Sequence, residues 1–440
     1  MDSGNPAALS AHRTWTRFLK AWAHIRTSKY WMVLIALFLR VGWIIIAHTY
    51  KFKNTQDNFG FGWEMGRIAA AIAAGRGFSD PFGPHTGPTA WEPPLYPYLS
   101  AGIFRLFGIY SPASGFVLLS INSIFSSLTC IPVFFIARRI FSEKVAVGSA
   151  WTVALLPHFM YWCTRWVWET SLSALLLAVI LWLALSLEDR DGMMPWVEFG
   201  ALWGIAALTS TILVSFLPAS GLWAWYRRAR QSKPSMAGIT LASLIFIACV
   251  TPWTLRNYQT FGKFIFIRDN FGAELRLGNG MGADGSWMQY IHPTQDTYAM
   301  RQYTAMGELA YIENRKQSAL QYIRADHRRF AGLCLKRFIY FWAGPPRLSQ
   351  IEWLAQTKNS LFLASSVIAF WGLGRALRQR KPGSWLLFWL ILFYPAIYYV
   401  VYPGQRYRHP IEPEMAILGV YLLTEAGKPT SSDFHRKRPS

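Results

Sequence analysis

The feature that most constrains this chain is the recurrence of apolar runs along nearly its whole length. Each is about 16 to 24 residues long, enough to cross or nearly cross the hydrocarbon of a bilayer as a helix. They fall near 30–49, 113–136, 145–163, 166–187, 195–210, 211–227, 237–255, 359–376, 384–402 and 409–425. A backbone in hydrocarbon must satisfy its own polar groups, so this pattern predicts an all-α polytopic membrane protein with about ten transmembrane helices. The pair at 195–227 is interrupted by Pro195, Thr209, Ser210 and Pro218, and a tight turn or a broken helix fits it as well as two spans do. Composition agrees: 52% of the 440 residues are hydrophobic and 15% charged, which excludes disordered, collagen-like and disulfide-scaffold classes.

The net charge of +21 does not signal nucleic acid, because the basic residues sit in short clusters between apolar runs rather than in one stripe. Segments 1–29, 137–144, 188–194, 227–236, 375–382 and 426–440 hold almost half of the 44 Lys and Arg, whereas the opposite short loops hold only Arg165, Arg406 and Arg408. The positive-inside bias therefore puts both termini in the cytoplasm of a multi-pass protein of the cytoplasmic membrane and sends 50–112 and 256–358 to the outer face. The expected organisation is a basic cytoplasmic N-terminus (1–29), a transmembrane domain (30–255) carrying the outer loop 50–112, a small outer subdomain (256–358) of mixed α/β or irregular structure, C-terminal helices (359–425) and a basic cytoplasmic tail (426–440). The first run, Tyr30 to Thr49, lacks a small-residue cleavage site and reads as a retained span. Cys130, Cys163, Cys249 and Cys334 show neither CxxC nor metal spacing and read as core packing.

The first outer segment contains FGWEMGRIAAAIAAGRGF, whose apolar spacing predicts a juxtamembrane amphipathic helix stopped by Gly75 and Gly77. Then GPTAWEPPLYPYLSAGIFRLFG leads from Pro-rich extended chain into a second short helix, with Tyr96, Tyr98 and Phe104 suited to the membrane interface. Arg40, in the middle of the first span, is expected to neutralise an internal acid or to snorkel.

With only 23 carboxylates, each can be placed. Glu169 begins the fourth span from inside, where an ionisable group is costly and points to function; its plainer reading is a pair with Arg165 one turn earlier. Glu64 lies on the first outer helix, where it could instead be a solvated partner of Arg67. Asp57 could be a loop cap and Glu92 a turn residue. Arg256 and Asn257 close the seventh span in TPWTLRNYQTFG, while Arg406, Arg408 and His409 lie in YPGQRYRHPIEPE. These arginines could clamp a phosphate bidentately, or simply snorkel to headgroups. A carboxylate, a few arginines, an outer cavity and a membrane wall together suit transfer of a sugar from a polyprenyl phosphate. The arginines hold the phosphate while the carboxylate takes a proton from the attacking hydroxyl. A leaving phosphate needs no protonation, so no second catalytic carboxylate is required.

These residues resemble the GT-C integral-membrane glycosyltransferases, specifically bacterial relatives of the dolichyl-phosphate-mannose protein mannosyltransferases (glycosyltransferase family 39) and the lipid A aminoarabinose transferases. The resemblance covers about residues 30–425. It rests on the acid-bearing helix followed by PP-x-Y (Glu64 to Tyr96), the acid at Glu169, the PWTLRNY run and the closing RYRHPIEP loop. It implies a GT-C fold, an inverting transfer from a polyprenyl-phosphate-linked sugar to a hydroxyl acceptor, and a base on the acid after the first span. The family carries an Asp, often Asp-Glu, about four residues before a Tyr there, where this chain has Gly60 or Phe61; Glu64 is the candidate base and Asp57 the second. Glu169 falls on the family's acid near the fourth span, and Arg406 and Arg408 on its phosphate-binding arginines. Glu92, Tyr96, Asn257 and His409 are the candidate pocket residues. Some members bind a divalent metal and others do not, so a metal stays open and unassigned. The competing classes are a lipid-linked sugar flippase, against which the missing inverted repeat speaks, and an O-antigen-ligase-like or inactive relative.

Overall fold

The computed structural model describes residues 25–52, 59–233, 235–345 and 352–425. Among them the chain is almost wholly helical, with no strand beyond an isolated bridge between Ser79 and Pro88. The first helix, α1 (Lys29–Ile46), is followed by two short helices of the first non-spanning segment, α2 (Glu64–Ala73) and α3 (Leu95–Phe107). Next come α4 (Pro112–Leu128) and α5 (Cys130–Ile140), which continue one another, then α6 (Glu143–Leu155), the single turn α7 (Pro157–Tyr161) and α8 (Thr170–Ser186). They lead to α9 (Met194–Thr209), α10 (Leu217–Ala229) and α11 (Met236–Phe261). The second non-spanning segment supplies α12 (Phe271–Gly278), α13 (Thr297–Met306), α14 (Glu308–Ala325) and α15 (His327–Ala343). The chain closes with α16 (Glu352–Arg378), α17 (Ser384–Phe393), α18 (Ala396–Val400) and α19 (Glu412–Thr424).

Four of these elements are long and apolar enough to cross a membrane: α1, the α4–α5 pair, α11, and α16 from Gln356 onward. Their outward side chains are apolar, as Leu34, Phe38 and Ile46 of α1 and Leu244 and Ile247 of α11 show, which is what a lipid-facing surface requires. The other expected spans are helical but shorter than the roughly 20 residues a full crossing needs. α6, α9, α10 and α19 have 13, 16, 13 and 13 residues. Pro395 divides 384–402 into α17 and α18, and an extended Ser210 followed by a 3₁₀ turn (Thr211–Phe216) breaks 195–227 into α9 and α10.

Small residues let the helices approach. A side chain at Gly200 would run into the Ala242 backbone, so the α9–α11 contact depends on glycine there. Arg40 departs from expectation. It is fully buried, yet meets no acid and does not snorkel; its guanidinium donates to the carbonyls of Val153 and Ala154 (both 2.9 Å) and to Ser126 Oγ (3.1 Å). Those carbonyls end α6, where the backbone turns extended at Leu156 before Pro157, so the arginine satisfies orphan acceptors at a negative helix end. All four cysteines are free, and Cys130 and Cys163 are buried.

The segment expected to be α/β or irregular is helical with irregular links, because its apolar residues recur at helical spacing from Phe271 to Ala343 and α14 packs along α12. It covers α2, which is therefore not a surface helix: every residue from Glu64 to Ile72 is buried. Likewise Tyr96 and Phe104 of α3 are buried, leaving Tyr98 as the exposed member of that expected interface set.

Candidate active site

The site is built where residues 59–64, 91–92, 166–169, 268–292 and 402–407 meet. A backbone hydrogen bond from Val167 N–H to the Gly60 carbonyl (3.0 Å) ties the turn before α2 to the segment before α8. Gly62, at φ +88°, allows this approach, since a Cβ there would strike the Val167 carbonyl. The next residue, Trp63, is held at φ 47°, ψ −113°, a strained conformation for a bulky side chain. That turn delivers Glu64 as the first residue of α2, buried in a chamber of packed side chains that includes Trp63, Trp168 and Trp287, whose rings are 5.2–6.0 Å apart about Trp63.

Four carboxylates share this chamber. Burial raises Glu64 above the usual carboxylate range, against the opposing pull of Arg67, Arg406 and Arg268. Burial likewise pushes Glu92 up to about 8; Arg268 opposes, while repulsion from Glu169, Glu64 and Glu274 adds to it. Arg268 lies 3.8 Å from Glu92. Glu274 is held by Asn270 Nδ2 (2.9 Å) and the Tyr402 hydroxyl. Arg406 stacks on Trp168 and makes no ion pair with a carboxylate among the described residues.

His292 faces the base. Its Nδ1 accepts from the Thr294 backbone N–H (3.3 Å), so the proton sits on Nε2, which lies 3.4 Å from Glu64 Oε1. Burial keeps the imidazole neutral by lowering its pKa to about 4. A neutral ring orients Glu64 without quenching its charge. Five buried polar atoms here have no hydrogen-bond partner: Glu169 Oε2, Arg268 Nε and the indole Nε1 of Trp63, Trp168 and Trp287. These open donors and the carboxylate oxygen are available to a polar ligand.

Of the expected site residues, Glu64, Glu92, Glu169 and Arg406 are brought together at this chamber. Asp57 lies outside the described residues. Glu169 does not pair with Arg165, which stacks on Tyr161 instead (5.3 Å). The remaining candidates are committed elsewhere. Arg408 is buried and donates to Glu412 (3.0 Å), Ser365 (3.0 Å), Ser366 (2.7 Å) and the Phe362 carbonyl (3.0 Å). His409 also binds Glu412, at 3.0 Å. Arg256 clamps the carbonyls of Thr89 (2.7 Å) and Phe78 (2.8 Å), and Asn257 those of Ile265 (3.3 Å) and Ile267 (3.0 Å). Tyr96 donates to Asn122 (2.9 Å), which in turn holds the Trp166 carbonyl (3.3 Å) and so supports Glu169 from behind. Their polar atoms are engaged within the scaffold: Arg256 and Asn257 by backbone carbonyls, Arg408 and His409 chiefly by the Glu412 carboxylate, and Tyr96 by the Asn122 side chain. Arg268, His292, Glu274 and the three tryptophans were not singled out from the sequence. Among the described residues no group of three His, Cys, Asp or Glu is arranged to hold a metal ion.

The family model for dolichyl-phosphate-mannose-protein mannosyltransferase matches residues 91–255, a stretch that includes Glu92 and Glu169 but begins after Glu64. No curated protein matches the chain by sequence. Among solved structures, the apo oligosaccharyltransferase of Archaeoglobus fulgidus superposes with a TM-score of 0.53 at 16% identity, covering 92% of this chain and 51% of that one. The same organism's AglB oligosaccharyltransferase, in complex with an inhibitory peptide and a dolichol-phosphate, gives 0.52 at 16% identity over 92% and 50%. ArnT of Cupriavidus metallidurans bound to undecaprenyl phosphate aligns more loosely, with a TM-score of 0.40 at 13% identity over 92% and 78%. The chain thus spans about half the length of the oligosaccharyltransferases whose fold it shares. That fold is the GT-C fold expected from the sequence, and the family model that matches residues 91–255 is that of the protein mannosyltransferases the sequence resembles.

Proposed function

We propose that the chain is a membrane glycosyltransferase that moves a hexosyl or pentosyl group from a polyprenyl-phosphate donor to a hydroxyl on a lipid, glycan or protein acceptor, inverting the anomeric carbon. The observation that carries this reading is Glu64. It is a buried carboxylate of raised pKa on a strained turn, oriented by a neutral His292, with Arg406 and Arg268 in electrostatic reach. The family match over 91–255 and the shared fold with a protein that binds dolichol-phosphate support the same chemistry.

In this mechanism the donor phosphate lies against Arg406 and Arg268, whose charge receives the phosphate as the glycosidic bond breaks. The tryptophan faces take the apolar side of the sugar ring and their free indole N–H groups its hydroxyls. Glu64 accepts the proton of the acceptor hydroxyl as its oxygen attacks the anomeric carbon from the face opposite the phosphate. A base with a raised pKa holds that proton better, which matches the task to the group. Glu169 and Glu92 orient the incoming hydroxyl. Asp57 is the second candidate for the base. We place the protein in the cytoplasmic membrane with both termini in the cytoplasm and the chamber facing outward, in line with the distribution of Lys and Arg.

The test is release of polyprenyl phosphate from a panel of polyprenyl-phosphate sugars by the purified protein in detergent with a pool of hydroxyl acceptors. Release with at least one donor, matched by sugar on the acceptor, is expected. No release with any donor, together with movement of the lipid across a bilayer, would instead identify a flippase.

A further inference from the structure

Glu308, the first residue of α14, is a buried acid that the mechanism above does not use. Three neutral donors converge on its carboxylate: the Ala90 N–H on Oε1 (2.6 Å), and the hydroxyls of Thr89 and Tyr303 on Oε2, the latter at 2.8 Å. Thr89 Oγ1 in turn accepts the Trp91 N–H (2.9 Å), so one carboxylate orders three consecutive residues. Two carbonyls of the same stretch are held as well, Thr89 by Arg256 (2.7 Å) and Ala90 by the Asp269 N–H (2.9 Å). Residues 89–91 of the first non-spanning segment thus form a strap bonded to the end of α11 and to the second non-spanning segment.

The strap leads directly to Glu92, which is followed by Pro93 and so confined to extended backbone. With 89–91 fixed and Pro93 restricting the next step, little freedom is left in where the Glu92 carboxylate stands. Trp91 carries the same constraint toward the base, because its ring lies edge-on to His292 (6.4 Å), the imidazole that faces Glu64. Burial pushes Glu308 up to about 7; the hydrogen bonds from Ala90, Thr89 and Tyr303 oppose this, Asp269 adds repulsion, and Arg256 is the cation within electrostatic reach. An ionised carboxylate only accepts. Protonation puts a hydrogen on an oxygen that now receives donors, so a donor is displaced and the rest meet a neutral acceptor that holds them less strongly.

We propose that Glu308 is a positioning residue for the transfer: it holds residues 89–91 so that Glu92 stands where it orients the acceptor hydroxyl, and it slackens that hold when it takes up a proton. The assignment rests on the transferase reading above and deepens it, since it ties use of the acceptor to the proton concentration around the second non-spanning segment. Glu308 touches no reacting atom; it acts through the strap.

The test follows hydrogen exchange of the Ala90 and Trp91 amides in the full-length protein in detergent, corrected for the intrinsic rate, beside donor binding and release of polyprenyl phosphate. In wild type, protection of both amides is expected to fall several-fold between about pH 8 and about pH 6. Glu308→Gln should show the lower protection at both pH values and release polyprenyl phosphate at least about tenfold more slowly while binding the donor like wild type. Tyr303→Phe leaves the strap bonds in place but removes a hydrogen bond that favours the charged form, so its loss of protection should move to higher pH and the acid-side fall in turnover with it. A merely structural role for Glu308 would leave both unmoved. Thr89→Val, which keeps Glu308, should reproduce the loss of Trp91 protection and part of the loss of turnover even where Glu308→Gln fails to fold. Wild-type protection or wild-type release in Glu308→Gln, or an unmoved Tyr303→Phe profile, overturns the positioning role while donor turnover by wild type, and with it the transferase reading, stands. A wild-type protein that releases no polyprenyl phosphate from any donor overturns both.

Discussion

Removing the Glu412 carboxylate separates a scaffold role for Arg408 from a substrate role. Glu412 receives three donors: Arg408 Nε at 3.0 Å, His409 Nδ1 at 3.0 Å and His158 Nε2 at 2.7 Å. Both members of the central pair are sealed from solvent, Arg408 at 1% exposure and Glu412 at 4%. In Glu412→Ala the guanidinium stays buried with only neutral acceptors, the Phe362 carbonyl and Ser365 and Ser366. Breaking a buried pair from one side costs about 3–5 kcal/mol, because the charge left behind is neither solvated nor matched. Removing both charges, as in Arg408→Met/Glu412→Met, is expected to recover most of that loss, since an apolar pair of similar volume replaces the ion pair. The assay is unfolding in detergent followed by tryptophan fluorescence, alongside binding of a polyprenyl phosphate. A Glu412→Ala protein as stable as wild type would refute the reasoning. So would a stable double variant that no longer binds the lipid phosphate, because Arg408 would then be a phosphate ligand.

Gly62→Ala puts an L side chain at φ +88° and a methyl group on the Val167 carbonyl; it is expected to cost about 1–2 kcal/mol from the backbone alone and to lower donor turnover by displacing Glu64, measured by parallel melts and turnover. Folded Glu92 keeps its proton to about pH 8 whereas the unfolded carboxyl releases it near 4.5, so its contribution to stability is full below that lower value and is lost as pH rises to about 8. Glu92→Gln should therefore flatten the fall in melting temperature across that window, and a profile identical to wild type would contradict the assignment. Glu169 has a buried oxygen without a partner, so Glu169→Gln is expected to leave stability equal or higher while turnover drops. A destabilised Glu169→Gln protein with normal turnover would make Glu169 a scaffold acid.

The membrane character, the long helices and the two non-spanning segments were legible in the sequence because hydrophobic length is a local signal. Span count was less so: Pro395 and the break at Ser210 shorten helices inside runs that stay apolar throughout. The burial of α2 was hidden because its cover, Trp287 and His292, arrives more than 200 residues later in the chain. Glu64, Glu92, Glu169 and Arg406 could be found by type and position. Arg256, Asn257, Arg408 and His409 looked equally suitable, since a side chain that binds a phosphate and one that binds backbone carbonyls or a buried carboxylate are the same in sequence. Arg268 had one faint mark, a lone cation ending the apolar run FIFI. His292 and Glu274 had none, as their meaning comes only from what α2 and Tyr402 bring beside them.

The central claim is that Glu64 is the base. Its most direct test compares wild type with Glu64→Gln, Asp57→Asn and Glu169→Gln for both binding of a turned-over polyprenyl-phosphate sugar and release of its polyprenyl phosphate. A general base contributes about 10²–10⁴-fold. Glu64→Gln is predicted to bind the donor like wild type and to release it at least about 10²-fold more slowly. Wild-type turnover by Glu64→Gln, with turnover lost in Asp57→Asn instead, would contradict the account and move the base to Asp57.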